Sequence, residues 1–554
     1  MDQLIQTKQL TFTYPNAHIP VLQDVNLTVD RGQFVVIAGA TGSGKTTLLN
    51  HFKKELLPNG QRSGDVLIQQ RSIDNFSKLS SAKTVGYVGQ DPTVQPIMTT
   101  VIAELAFSLE NVGVKSDEIE RRVAELANYL GLDQLLHHEI HDLSGGQLQL
   151  VNLASVLILR PEILLFDEPT AQLDPLSTQH FFDVLQRLHQ ELGMTIVMVE
   201  HNLETALSLA DTMLLLQNHR ITFQGAPAVG ISKMMNDPEL TAFIPEVPRL
   251  FLENRLQVKQ LPISVAEGQT AITSAGLRFK STITKPRVIA PTQPILTAKD
   301  VSFSFDQRVN VVDHLSLTLP AGDWLSIVGK NGSGKSTLLT MLAGLQVPQH
   351  GKIKFAKQKV WKIPTATRIS ELSFLSQTPA LQFGAETVRD EFRQQAGQLH
   401  LGAPEKRVKI VIDQLHLNDL LDQNPFDLSS GQQQLLGIGL ALLANPKLLI
   451  LDEPTKGLDP AARQALGDLL TTINQAGTTI LMASHDMAFC AAYSRHSAFM
   501  FDGHLNTILP TRTFFSANFF FTTAINRLLR RQVQDALLVS DVQFLSEGTN
   551  RYDK

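Results

Sequence analysis

Two short stretches of this 554-residue chain carry residues spaced for phosphate chemistry. Gly39, Ala40, Thr41, Gly42, Ser43, Gly44, Lys45 and Thr46 form one; Gly329, Lys330, Asn331, Gly332, Ser333, Gly334, Lys335 and Ser336 form the other. Both read G-x-x-x-x-G-K-[ST]. The glycines let backbone N–H groups point inward at phosphate oxygens, helped by the N-terminus of a following helix. Lys45 and Lys335 suit the β- and γ-phosphates of a nucleoside triphosphate. The hydroxyls of Thr46 and Ser336 suit a Mg²⁺ ion.

Two further blocks bring carboxylates. The apolar runs ILLF and LLIL end in Asp167–Glu168 and Asp452–Glu453. An aspartate at a strand end can enter the metal shell, and the next glutamate can orient or deprotonate a water aimed at the γ-phosphate. His201 and His485 follow at nearly equal distances beyond those glutamates, each after another apolar run. Their matched placement points to a γ-phosphate contact rather than to an incidental histidine.

Elements must hold these side chains in place. Residues 33–39, 163–166, 195–199 and 213–216 read as strands buried on both faces, and LSIV, LLIL, TILMA and AFMF repeat them. Each phosphate loop lies between such a strand and a predicted helix. LSGGQ, with Ser144, Gly145, Gly146 and Gln147, recurs as LSSGQ, with Ser429, Ser430, Gly431 and Gln432. All these blocks recur in one order at an almost constant offset, so the chain is a tandem duplication. The expected division is a first domain over 1–232, appended helices over 233–260, a linker over 261–294, a second domain over 295–507 and a helical tail over 508–554. Within the tail, 514–538 reads as an amphipathic helix, with its phenylalanines expected to pack on their own domain.

Composition narrows the setting. Lys and Arg number 48 against 53 Asp and Glu, a net charge of −5 that lacks the basic surplus of a nucleic-acid-binding surface. The single cysteine, Cys490, excludes an internal disulfide or a four-cysteine metal site and fits a reducing, cytosolic setting. No run is long and apolar enough to span a bilayer, and MDQLIQTKQL lacks the pattern of a signal peptide. Any membrane crossing is therefore expected of another chain.

The order of phosphate loop, LSGGQ block, Asp-Glu run and late histidine resembles the ATP-binding cassette (ABC) ATPase family, and LSGGQ is its most specific element. The resemblance implies an α/β fold of two tandem P-loop NTPase domains. Each would have a mainly parallel core sheet, an antiparallel β subdomain and an α-helical signature subdomain. It implies that two cassettes close head-to-tail around two ATP molecules with Mg²⁺. Lys45 and Glu168 would then face Ser429 and Gly431, while Lys335 and Glu453 would face Ser144 and Gly146. Tyr14 and Phe305 would stack on adenine. Thr47 and Thr337 would complete the loop contacts. Gln90 and Gln377 would touch Mg²⁺ or water and relay closure to a membrane partner. Thr46, Ser336, Asp167 and Asp452 would complete the metal shell, with Glu168, His201, Glu453 and His485 catalytic. Ser430 departs from the usual glycine, and Leu150 and Leu435 from an arginine common after the signature.

Both glutamines open the pattern Q-x-P-x-x-Q, as QDPTVQ and QTPALQ. This is similar to energy-coupling-factor (ECF) importers and cobalt-type transport ATPases. It implies a transmembrane coupling protein, a small substrate-binding membrane protein and a place on the cytoplasmic face of the membrane. The cargo would be a vitamin, a thiamine or hydroxymethylpyrimidine-like precursor, or a transition-metal ion. Alternatives are a duplicated sugar-importer ATPase and, from another class, a soluble tandem-cassette translation or repair factor. Two complete catalytic sets argue against the first. The absence of a charged helical linker, a cysteine-bound metal and a coiled coil argues against the second.

Overall fold

The strand Phe34–Ala38 reads FVVIA, and every residue in it is buried. Phe34, Val36 and Ala38 join one apolar cluster, while Val35 and Ile37 join another. A strand whose alternate side chains enter two cores must be covered on both faces, which is why its sequence is continuously apolar. Trp324–Val328 does the same in the second half, with Trp324 and Val328 on one side and Leu325 and Ile327 on the other. Each buried Val, Leu, Ile or Phe side chain among these contributes about 1.5–3 kcal/mol by leaving water.

In this computed structural model the described residues are 2–15, 17–283, 293–306, 309–400, 402 and 404–545. They divide into two units, Met1–Gly268 and Gln269–Lys554. In the first unit, a six-stranded sheet runs Arg220–Gly225, Thr212–Gln217, Phe34–Ala38, Thr195–Val199, Ile163–Asp167, Val85–Val88. Its pairings are parallel except at the edge strand Arg220–Gly225. A separate antiparallel sheet orders Leu22–Asp30, Gln3–Thr13, Gln61–Ile68, Arg71–Ser72. The helices Val101–Glu110, Ser116–Leu130 and Gly145–Leu157 form the α-helical part.

The second unit repeats this plan. Its main sheet runs Leu372–Leu375, Leu448–Asp452, Thr479–Ala483, Trp324–Val328, His496–Phe501 and His504–Leu505. Its antiparallel sheet runs Val312–Pro320, Pro294–Phe303, His350–Phe355, Gln358–Lys359. The helices Val388–Gln398, Pro404–Gln414 and Ser430–Leu442 match the first set. The expected architecture is therefore present twice. No helix among the described residues is long and apolar enough to cross a membrane.

Two segments differ from expectation. Residues 261–294, read as a linker without sustained period, contain the helix Val265–Ser274 and the strand Phe279–Ser281. That strand pairs antiparallel with Val542–Phe544, a partner far along the chain that local periodicity cannot reveal. Residues 284–292 of the linker, and 546–554 of the tail, lie outside the described residues. The tail also breaks the expected helix over 514–538 into Thr511–Ala517 and Ala524–Leu529. Thr523 Oγ1 starts the second piece by accepting from Asn526 N–H at 3.2 Å. The fully buried Asn526 then donates to Gln534 O and Ala536 O, both at 2.9 Å, folding the chain back. Phe514 and Phe515 enter the core of their own unit, while Phe519 and Phe520 stay exposed.

Candidate functional site

The phosphate loops sit where the apolar strands end. Gly44 has φ 100° just before the helix Lys45–Asn50, and a Cβ there would lie 2.7 Å from Val21 O. Gly334 repeats this at φ 98°, 2.4 Å from Val311 O. Only glycine fits both the left-handed backbone and the close approach. Lys45 Nζ donates to Gly39 O and Ala40 O, each at 2.9 Å. Lys335 Nζ donates to Gly329 O at 2.8 Å and Lys330 O at 3.0 Å. Both ammonium groups are buried, so these carbonyls satisfy charges that would otherwise be costly. The loops thus bring Gly39 to Thr47 and Gly329 to Thr337 into the arrangement the motif requires.

The carboxylates meet the loops from the next strand but one in each sheet, beyond Thr195–Val199 and Thr479–Ala483. Thr46 Oγ1 donates to Asp167 Oδ1 at 3.0 Å. In the second unit the Ser336 hydroxyl acts on Asp452 to lower its pKa. Burial raises the pKa of both aspartates to about 6, and the hydroxyls only partly oppose it. Asp452 Oδ1 is buried without a hydrogen-bond partner. A hydroxyl beside a desolvated carboxylate is a hard-oxygen donor set suited to Mg²⁺, which needs few protein ligands when phosphates supply the rest. Among the described residues no three His, Cys, Asp or Glu side chains form a metal cluster of their own.

Glu168 and Glu453 take left-handed backbone angles, φ 46° and 52°. Non-glycine residues seldom hold that conformation unless their surroundings enforce it. Here Glu168 N–H donates to Val199 O and Glu453 N–H to Ala483 O, each at 2.9 Å. His201 Nε2 lies 2.8 Å from Glu168 Oε1, and His485 Nδ1 lies 2.8 Å from Glu453 Oε2. Burial pushes the Glu453 carboxyl up, but His485 and Lys335 outweigh it and hold its pKa below the ordinary value. Burial pushes His485 down, and Glu453 more than offsets this to raise it. A base beside a histidine, at the end of a strand facing the phosphate loop, can accept a proton from water.

The glutamines differ between units. Gln90 Nε2 donates to Glu168 Oε2 at 3.0 Å. Gln377 follows the strand Leu372–Leu375 half-buried, and no hydrogen bond joins it to Glu453 among the described residues. Tyr14 is held edge-on by Phe12, and its hydroxyl lies 3.1 Å from Thr47 Oγ1. Phe305 is held edge-on by Phe303 with its ring exposed. Each aromatic thus offers a face for stacking.

The signature blocks start helices. Ser144 Oγ accepts from Gln147 N–H at 3.4 Å, while Gln147 Oε1 accepts from Ser144 N–H at 2.9 Å. Ser429 and Gln432 repeat this capping box at 3.3 and 2.9 Å. A Cβ at Gly146 would lie 2.5 Å from Ser177 Oγ, and one at Gly431 would lie 2.7 Å from Gly457 O. Gly145 and Ser430 occupy the more open position between, so the Ser430 departure is accommodated.

Two residues near the site escaped the sequence reading. Burial and the nearby Asp167 raise the pKa of Tyr87, where the second unit has Phe374. Glu200, just before His201, is buried where the second unit has Ser484. Comparing VEH with ASH position by position is the signal that could have found Glu200.

The family model described as "ABC transporter" matches residues 22–171 and 312–456. A Bacillus thuringiensis protein, named as a candidate ABC transporter ATP-binding protein, is 42% identical over 539 residues and 97% of both chains. A Bacillus subtilis protein, named as a candidate HMP/thiamine import ATP-binding protein, YkoD, is 32% identical over 508 residues and 89% of both. Among solved structures, an archaeal ribosome recycling factor, aABCE1, aligns with TM-score 0.59 at 21% identity, covering 98% of this chain and 96% of its own. That last likeness concerns the fold.

Proposed function

We propose a function on one premise: the chain belongs to the ABC transporter family, as an ATP-binding protein that hydrolyses ATP. On our reading it energises an importer of the ECF type. Its two cassettes pair within one chain, each phosphate loop completed by the other cassette's signature. Lys45 and Lys335 leave their loop carbonyls to hold the β- and γ-phosphates. Glu168 and Glu453 accept the proton of the attacking water, and His201 and His485 orient the γ-phosphate. Thr46 with Asp167, and Ser336 with Asp452, would hold Mg²⁺, and Gln90 and Gln377 would reach it through water. Bound Mg²⁺ would neutralise charge on the phosphate oxygens.

One observation carries the membrane partner. Val94 is 77% exposed and Leu381 is 85% exposed, each four residues after its glutamine, and Ile97 nearby is 70% exposed. A lone exposed apolar residue needs no explanation, but the same exposure at the same place in both copies suits a docking surface. Helices of a transmembrane coupling protein are the expected occupants, placing the chain peripherally on the cytoplasmic face. The Bacillus subtilis relative's name favours a thiamine precursor or a related vitamin as cargo.

Affinity capture of the full chain from detergent-solubilised membranes, read by mass spectrometry, tests this. An integral membrane protein should co-purify, and V94E with L381E should release it while ATP hydrolysis persists. Recovery of ribosomes or DNA, with no membrane protein, would favour the translation or repair reading instead.

A further inference from the structure

The two units differ at one buried position beside the glutamate–histidine pair. The strand Thr195–Val199 runs into Glu200 and His201, whereas Thr479–Ala483 runs into Ser484 and His485. Glu200 is only 3% exposed. Its Oε1 accepts from Thr170 Oγ1 at 3.0 Å and from Asn202 N–H at 3.3 Å, and its Oε2 is buried without a partner. Burial pushes its pKa up to about 8, so it is mainly a neutral acid near pH 7. A buried acid with one unpaired oxygen is a costly choice for packing alone. Its geometry supplies another reason.

Thr170 lies in the turn that begins at Glu168, where Ala171 N–H donates to Glu168 O at 3.2 Å. The Thr170–Glu200 bond ties that strained turn to the strand end carrying His201. The second unit makes this tie differently. Ser484 Oγ accepts from Asp486 N–H at 3.0 Å, and His485 N–H donates to Glu453 Oε2 at 3.2 Å. There the glutamate that should receive the water proton performs the structural task itself. Its side chain is 4% exposed and lies 3.7 Å from Lys335 Nζ, whereas the Glu168 side chain is 17% exposed.

We propose that Glu200 is a positioning residue that takes over this tie, so that the Glu168 carboxylate, unlike that of Glu453, is not drawn onto the histidine backbone and stays more open to water, making the two ATP sites unequal in turnover. The inference rests on the proposed role of Glu168 and Glu453. The site with Glu168 is the faster one, and Glu200 acts only through the Glu168 turn.

Single-turnover ATP hydrolysis by the full chain tests this, with E453Q isolating the Glu168 site and E168Q isolating the Glu453 site. In the E453Q background, E200S should lower the maximal rate about tenfold, with the ATP concentration at half-maximal rate within about twofold. E200Q keeps an oxygen that accepts from Thr170 and Asn202, and should recover the rate to within about threefold. T170V should reproduce E200S, and the two together should lose no more than either alone. In the E168Q background, E200S should cost much less. Equal loss in both backgrounds, no rescue by E200Q, or a change confined to ATP affinity would overturn the proposal. Retained turnover in the E168Q/E453Q double variant would instead overturn the roles of the two glutamates, a separable outcome. Thermal melting and ATP binding of each variant identify any that misfold. T170V then provides the second route to the same result.

Discussion

Glu453 Oε2 meets His485 twice: the backbone N–H donates at 3.2 Å, and ring Nδ1 stands 2.8 Å away. The ring contact is close without being aligned as a hydrogen bond, since Nδ1 is buried with no bonded partner. Charge attraction therefore dominates this pair. In the other unit the histidine presents Nε2 to Glu168, which also accepts from Gln90. If both glutamates serve as bases, E168Q with E453Q should still bind ATP but lose steady-state hydrolysis by about 10²–10⁴-fold. Phosphate release measured beside nucleotide retention checks this. Native turnover in the double variant would sink the assignment.

Each phosphate-loop lysine holds its ammonium with two backbone carbonyls. Phosphate oxygens can replace those acceptors with charge-assisted bonds, each worth about 1.5–3 kcal/mol. K45A and K335A should therefore weaken ATP binding at their own sites by about 10- to 100-fold. Equilibrium titration with a fluorescent nucleotide reads the loss. Unchanged affinity in the K45A/K335A double variant would contradict the loop assignment.

These loops, the Asp-Glu strand ends and the signature blocks were legible because their logic is local. The apolar run through FVVIA ends at a glycine loop, and the LSGGQ block recurs in the second copy, both within a few adjacent residues. Glu200 was not legible in that way. Nothing adjacent marks it as buried, and its partner Thr170 comes from another strand's end. The split tail was missed for a similar reason, because Asn526 turns the chain through bonds to Gln534 and Ala536 rather than through a helix breaker.

Stability should depend on pH through Glu200. Its folded pKa of about 8 exceeds the ordinary 4.5. The unfolded chain releases this proton above its ordinary pKa while the folded chain keeps it. Rising pH therefore erodes folded stability between these two values. Gln at this position carries no proton to lose. The stability advantage of E200Q over the native chain should grow between about pH 5.5 and pH 8, by up to a few kcal/mol. Thermal melts at both pH values check it; a constant difference would show that Glu200 is not held protonated.

The signature serines should contribute to folding apart from any contact with nucleotide. Ser144 and Ser429 each accept from the N–H of the third helical residue, closing reciprocal caps with Gln147 and Gln432. S144A and S429A should each lower stability by about 1 kcal/mol. Denaturant unfolding without ATP isolates this effect. No loss in either variant would mean solvent satisfies the helix ends equally well.

The tail should protect the segment once read as a linker. Gln532 grips it from both ends of its side-chain amide: Oε1 accepts from Phe279 N–H at 2.9 Å, and Nε2 donates to Leu277 O at 3.0 Å. Leu545 N–H donates to Arg278 O at 2.9 Å, and Thr282 N–H to Asp541 O at 2.9 Å, while the Phe279 and Phe544 rings meet at 6.1 Å. A three-residue strand is too short to persist without such partners. Q532A removes two bonds, each worth about 0.5–1.5 kcal/mol, so local opening should rise several-fold. Limited proteolysis should then cut residues 277–283 faster in Q532A, with the cores of both units still resistant. Equal cleavage in Q532A and the native chain would place the hold in the backbone ladder and the Phe279–Phe544 contact instead.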